Sequence, residues 1–383
     1  MTASNEIQIE RVRKYLGHLT SHARSSLLVE IERMQMYDED ISGFEIILSE
    51  LRAEFRKSGE TQNRIGNPSR YFFKPIEALF VDRSPERANS GQISRGSLSA
   101  IWEWINHALL PSMARDYCER MKQVIVRDNQ DEARLIVAGF QSKVIKTIEG
   151  YLSSERGIAD VRSGLGQYTG SRASFDDLMK TLLALRLRDV IVAFNDALPP
   201  KVDDFGDEAL FRIRGQLDAL VAKHPEALPF ALTMVTKRLK VPWQLARLAT
   251  KAAHSKNAAE IAATRYAISI TMVLDHLDDR RIDLSHALKS NRIAIAKDML
   301  TDIYDIEHAL RVSIDRIEET DWGRRLDAVM ASVASDLKAE LQSLPGNLHH
   351  VLGSAALHRH HAEPAGLAFL VQKGRSLFGL GQR

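Results

Sequence analysis

Six cations, Lys237, Arg238, Lys240, Arg247, Lys251 and Lys256, fall between Ala227 and Ala259, a stretch with no acidic residue, in a chain whose 52 basic and 50 acidic side chains otherwise balance. Pro242 is suited to open a helix, which places Trp243, Arg247 and Lys251 at i, i+4 and i+8 on one face. The preceding helix ends beside that turn in Lys237, Arg238 and Lys240. Cations converging on an indole could hold the phosphates of nucleic acid, a nucleotide or a lipid, or an acidic protein partner, through charge-assisted contacts and stacking. The plainer alternative is a core Trp243 with lysines that satisfy a helix C-terminus. Lys237, Arg238, Lys240, Trp243, Arg247 and Lys251 are the candidate partner- or anion-binding set.

Other residue clusters invite chemistry and support less of it. Asp275, Asp278, Asp279 and Asp283, followed by Asp298, Asp302 and Asp305, suggest paired acidic helices able to hold Mg2+ and a diphosphate, because carboxylates four apart project side by side. With a turn expected near Arg280 to Ser285, Asp302 would lie roughly 18 Å beyond the level of Asp275, at about 1.5 Å per residue. A Mg-dependent all-α enzyme is therefore the remotest reading. Five of the thirteen histidines lie between His349 and His361, where imidazoles at short spacing can capture Zn2+, Ni2+ or Cu2+. No His-Glu-x-x-His or paired-cysteine site accompanies them, so no residue is assigned to a metal and no cofactor is expected. The glycine-rich run from Gly164 to Ser171 lacks the lysine and the preceding strand of a phosphate loop. Nor does any G-x-S-x-G or cysteine motif position a nucleophile.

The C-terminal stretch after Glu363 is apolar with basic punctuation. Leu367, Phe369, Leu370, Leu377 and Phe378 stand among Lys373, Arg375 and Arg383, a composition that docks into a partner's groove, lies on an anionic membrane surface, or folds back on its own domain.

Helices must position all of these groups. Gly and Pro together make 32 of the 383 residues, well below average usage, and no strand pair or hairpin signal stands out. Helical spacing predicts amphipathic helices over 7–19 and 26–57, then Ser97 to Arg127 with a break at Pro111, and Asp131 to Leu152. Residues 153–173 hold four glycines and read as a linker. Ser174 is suited to cap the next helix, with Asp177 on its first-turn donors and Pro199-Pro200 as its end. Shorter helices are expected over Asp207 to Lys223, Glu226 to Leu239, Pro242 to His254 and Ala258 to Leu277. Ile295, Met299, Ile303, Ile306, Leu310, Ile314 and Ile317 then mark a longer one, and Trp322 to Leu344 the last. The expectation is an all-α fold, a multi-helix bundle or irregular α-solenoid-like array. It comprises an N-terminal helical region (1–152), a Gly-rich linker (153–173), a C-terminal helical region (174–357) and a His-rich, then apolar and basic, tail (358–383).

A net charge of +2 excludes a molecule-wide field that draws in nucleic acid. One cysteine, Cys118, forms no internal disulfide, and the N-terminal MTASNEIQIERVRKYL has no apolar leader core, so a cytoplasmic protein is expected. No apolar run reaches membrane-spanning length. The function expected is a non-enzymatic helical scaffold or regulatory protein acting through protein-protein contacts. An anion-binding module for nucleic acid or membrane phosphates at the 237–251 junction is the alternative.

Overall fold

Apolar side chains spaced three and four apart build nearly every element of the computed structural model, which describes residues 67–127, 129–290 and 293–343, with Leu27 and Ile47. The fold is all-α, as expected. The helices expected over 7–19 and 26–57, the His-rich segment and the tail residues Leu367, Phe369, Leu370, Leu377 and Phe378 lie outside the described residues.

The chain forms two compact units: 67–77 with Gly96–Arg186, and Ala78–Arg95 with 187–343. In the first, α1 (Pro68–Phe73) leads through a 3-10 turn (Lys74–Leu79) out of the unit. The chain returns in α2 (Arg95–Trp104), a π turn (Ile105–Leu109) and α3 (Pro111–Val126). Pro111 breaks the expected helix by opening a new one. Then come α4 (Gln130–Leu152), capped by Asn129, which accepts from the Glu132 amide, α5 (Glu155–Gly166) and α6 (Ser174–Arg186). The core of this unit is aromatic. Tyr117 and Phe140 stack at 4.4 Å, and Phe72 meets Phe73, Trp102 and Phe140 edge-on or tilted at 4.9–5.6 Å. Two buried polar groups fix α1 on these helices: the Tyr117 hydroxyl donates to the Pro68 carbonyl (2.8 Å) and Gln141 Nε2 to that of Phe72 (2.6 Å).

The expected linker is largely a helix. Ser154 caps α5 by accepting from the Gly157 amide, and Val161 and Leu165 are buried. Its glycines serve close packing: a Cβ on Gly157 would lie 1.9 Å from the Tyr151 carbonyl oxygen, and one on Gly164 2.8 Å from Trp104 Nε1. The chain crosses between units after Glu77, Arg95 and Arg186, not within 153–173. Ser174 also departs from expectation. It is the first helical residue, its hydroxyl near those of Thr169 and Ser97, while the buried Asp177 accepts from Ser97 Oγ (2.7 Å) and Lys180 Nζ (2.8 Å).

The second unit takes the rest. A strap, Ala78–Arg95, carries β1 (Phe80–Val81) and β2 (Ile93–Ser94), a parallel pair with Phe80 opposite Ile93. At two residues each, these strands are too short for any alternation to announce them. From Leu187 onward come α7 (Arg188–Ala197), α8 (Asp207–Lys223), α9 (Leu228–Arg238), α10 (Ala246–Ala253) and α11 (Ala258–Ala262). Three long helices close the unit: α12 (Ala267–Lys289), α13 (Ile293–Ser313) and α14 (Asp321–Ser343). They run up, down and up, with Arg280 reaching Asp302 across the first pair and Arg325 reaching Asp275 and Asp278 across the outer two. The expected turn at 280–285 is absent because Leu284, Ala287 and Leu288 keep the buried stripe of α12 going to Lys289. Asp302 therefore stands level with Arg280 rather than a dozen residues beyond the Asp275 region. Among the described residues the aspartates form no cluster that could hold a metal ion, and arginines engage Asp275, Asp278, Asp279, Asp283 and Asp302.

Candidate functional site

The strap lies across α9 and α12, fixed by charge at both ends. Lys237, at the end of α9, donates from Nζ to the carbonyls of Ala78 (2.7 Å) and Phe80 (2.6 Å). Arg83 pairs with Asp279 on α12. Arg87 reaches Asp279 Oδ1 (3.0 Å), the Asp279 carbonyl (3.1 Å) and Asp283 Oδ1 (3.0 Å). Asp279 retains only 5% side-chain exposure, so two guanidiniums compensate a carboxylate that water cannot. Gly91 lets the strap settle on α9, where a Cβ would fall 2.0 Å from the Pro229 carbonyl oxygen.

Beside the strap opens a cleft of about 500 Å³. Phe80, Val81, Leu239, Pro242 and Met272 supply apolar wall, Asn89, Gln92 and Thr236 polar groups, and Arg83, Lys237, Asp82 and His276 the ionisable ones. Asp82 pairs outward with Arg95 (3.1 Å). Burial, reinforced by the nearby Arg280 and Arg83 charges, pushes the His276 imidazole down to about 4. At neutral pH it is therefore an uncharged donor and acceptor. At the ring the Arg280 and Arg83 charges act more strongly than the opposing Asp283.

The sequence-derived set reaches this cleft through Lys237 alone. Arg238 donates to Asn195 Oδ1 (3.1 Å) and the Pro200 carbonyl (3.4 Å), tying α9 to α7. Arg247 and Lys251 share a helical face as expected, and both meet Asp207 at the start of α8 (3.1 Å each), with Arg247 also on the Phe205 carbonyl. Lys240 is exposed beside Asp203, and Trp243 is half-buried. The acid-free stretch thus finds its counter-charge some forty residues upstream.

Sequence reasoning missed Arg83, Met272 and His276 as wall residues. One signal was available: Arg83 and Arg87 are four apart, as are Asp279 and Asp283, matched spacings of opposite sign. Among the described residues no cluster of three or more His, Cys, Asp or Glu could hold a metal ion. No helix among them is long and apolar enough to cross a membrane. Known protein families, curated proteins and solved structures provide no match to this chain.

Proposed function

We propose that this protein is a non-enzymatic helical binding module whose strap cleft takes a small anionic ligand with an apolar body. The observation that carries this reading is the composition of the cleft wall: Arg83, Lys237 and a neutral His276 gathered at one apolar cavity. Its volume of about 500 Å³ lies in the range that encloses metabolite-sized molecules. Arg83, which pairs with Asp279, and Lys237, which donates to the Ala78 and Phe80 carbonyls, bring their positive charge to the wall, and Met272, Leu239 and Phe80 cover an aliphatic or aromatic body. A nucleic acid or membrane phosphate at the 237–251 junction is the weaker reading, because Arg238 faces Asn195 on α7 while Arg247 and Lys251 face Asp207 on α8, so that of these cations only Lys237 lines the cleft. We assign the protein to the cytoplasm on its lone Cys118, which leaves no internal disulfide to form.

The test is thermal unfolding of the full chain with phenyl phosphate, benzoate and inorganic phosphate. Phenyl phosphate should raise the midpoint in a saturable way, and inorganic phosphate less, since it leaves the apolar wall uncovered. Val81→Trp, which fills the cleft without removing a strap contact, should abolish the shift. Equal shifts in Val81→Trp and in the unaltered chain, or none with any anion, overturn the reading.

A further inference from the structure

One helix of the second unit turns an aromatic ring to water. On α8, Leu210, Ile213, Leu217 and Val221 form the buried stripe, and Phe211, on the opposite side, is 81% exposed. Gly215 and Ala219, at i+4 and i+8, continue the exposed face, and nothing lies within 4 Å of where a Cβ on Gly215 would sit. The charges on this face run from acid to base, with the exposed Arg212 between the two ends. Glu208 stands at the N-terminal end and Lys223 at the C-terminal end, and neither forms a salt bridge among the described residues, whereas Asp207 is engaged by Arg247 and Lys251.

We propose that a second copy of this chain docks on the exposed face of α8, the two helices lying antiparallel and crossing near Gly215. Charge order chooses both partner and direction. Antiparallel pairing about Gly215 sets Glu208 near the partner's Lys223, whereas parallel pairing would oppose like charges. Antiparallel helix dipoles favour the same arrangement. Phe211 then covers the partner's Ala219, and the contact repeats by two-fold symmetry, so each surface is its own complement. The absent side chain at Gly215 lets the two backbones approach. Each helix is about 25 Å long, so the shared patch is small and the dimer is in concentration-dependent exchange with monomer. This inference is independent of the cleft and gives the scaffold expectation a specific surface.

Sedimentation equilibrium of the full chain across about three decades of concentration should show the mass rising from 43.0 kDa toward twice that value. Phe211→Ser should raise the dimer Kd about tenfold or more, as loss of a central aromatic anchor does, with an unchanged melting midpoint because the ring is exposed in the monomer. Glu208→Lys and Lys223→Glu should each weaken the dimer, and the double exchange should restore it. A monomer at every concentration overturns the proposal. So does a dimer whose Kd neither Phe211→Ser nor the charge exchange moves.

Discussion

Replacing Asp279 by Asn leaves Arg83 and Arg87 facing a neutral amide with one accepting oxygen, where the carboxylate offered each guanidinium its own. Removing one partner of a buried pair costs about 3–5 kcal/mol. Two features reduce that here: Arg83 and Arg87 keep 27% and 25% side-chain exposure, and Arg87 retains Asp283 and the residue-279 carbonyl. A loss of about 2–3 kcal/mol remains, and it falls on the strap, whose other anchors, the Lys237 contacts and the β1–β2 pair, are untouched. Local opening of the strap should therefore become roughly 30-fold to 160-fold more frequent. Amide hydrogen exchange followed by mass spectrometry reads this directly: protection over 78–95 should fall by that factor, while α3 and α4 of the other unit stay unchanged. Asp298→Asn, on the exposed side of α13, is the control. Unchanged protection of the strap in Asp279→Asn would refute the idea that this ion cluster fastens it.

His276 gives a pH dependence of stated sign. Its imidazole titrates at about 4 when folded against 6.5 when free, so the unfolded chain binds more protons between those values and stability falls as pH drops from 6.5 through 4, by about 3 kcal/mol in all. Denaturant melts of the native chain and His276→Gln should diverge in that window, and parallel profiles would count against the burial of the ring. Gly157→Ala should destabilise the first unit by about 2 kcal/mol, because its Cβ meets backbone at 1.9 Å, whereas Gly139→Ala, with nothing within 4 Å inside α4, should stabilise it by about 0.5–1 kcal/mol. Thermal melts of the two variants that shift in the same direction would contradict the packing role given to Gly157. Tyr117→Phe should cost about 1 kcal/mol by leaving the Pro68 carbonyl without its buried donor, measured by urea unfolding; no change would mean that carbonyl finds another partner.

Helices with a continuous buried stripe were legible from spacing alone: α8 spans Asp207–Lys223 as the periodicity predicts, and α4 and α14 each begin one residue before the expected start. The misreadings have physical causes. Glycine in 153–173 signals flexibility only when backbone conformation demands it, and at Gly157 and Gly164 the demand is contact with Tyr151 and Trp104, which no local pattern reveals. The extent of α12 was hidden by the ionic run Asp278 to Asp283, whose charges look like a helix end until Asp279 is found buried against the strap. The cleft was the least legible feature. Its walls come from the strap, the end of α9 and the middle of α12, nearly two hundred residues apart at the extremes, and only Lys237 drew notice beforehand. A local surplus of charge is a weak guide in a helical protein, because counter-charges arrive from distant elements, as Asp207 does for Arg247 and Lys251.

The central claim is that the strap cleft holds an anion, and His276 in its wall is the reporter. Its imidazole resonances, followed by NMR against pH with and without phenyl phosphate, test the claim most directly. A bound anion should raise the titration from about 4 toward neutrality and shift the ring signals saturably, with Val81→Trp showing neither effect. A titration unmoved by saturating phenyl phosphate would contradict it.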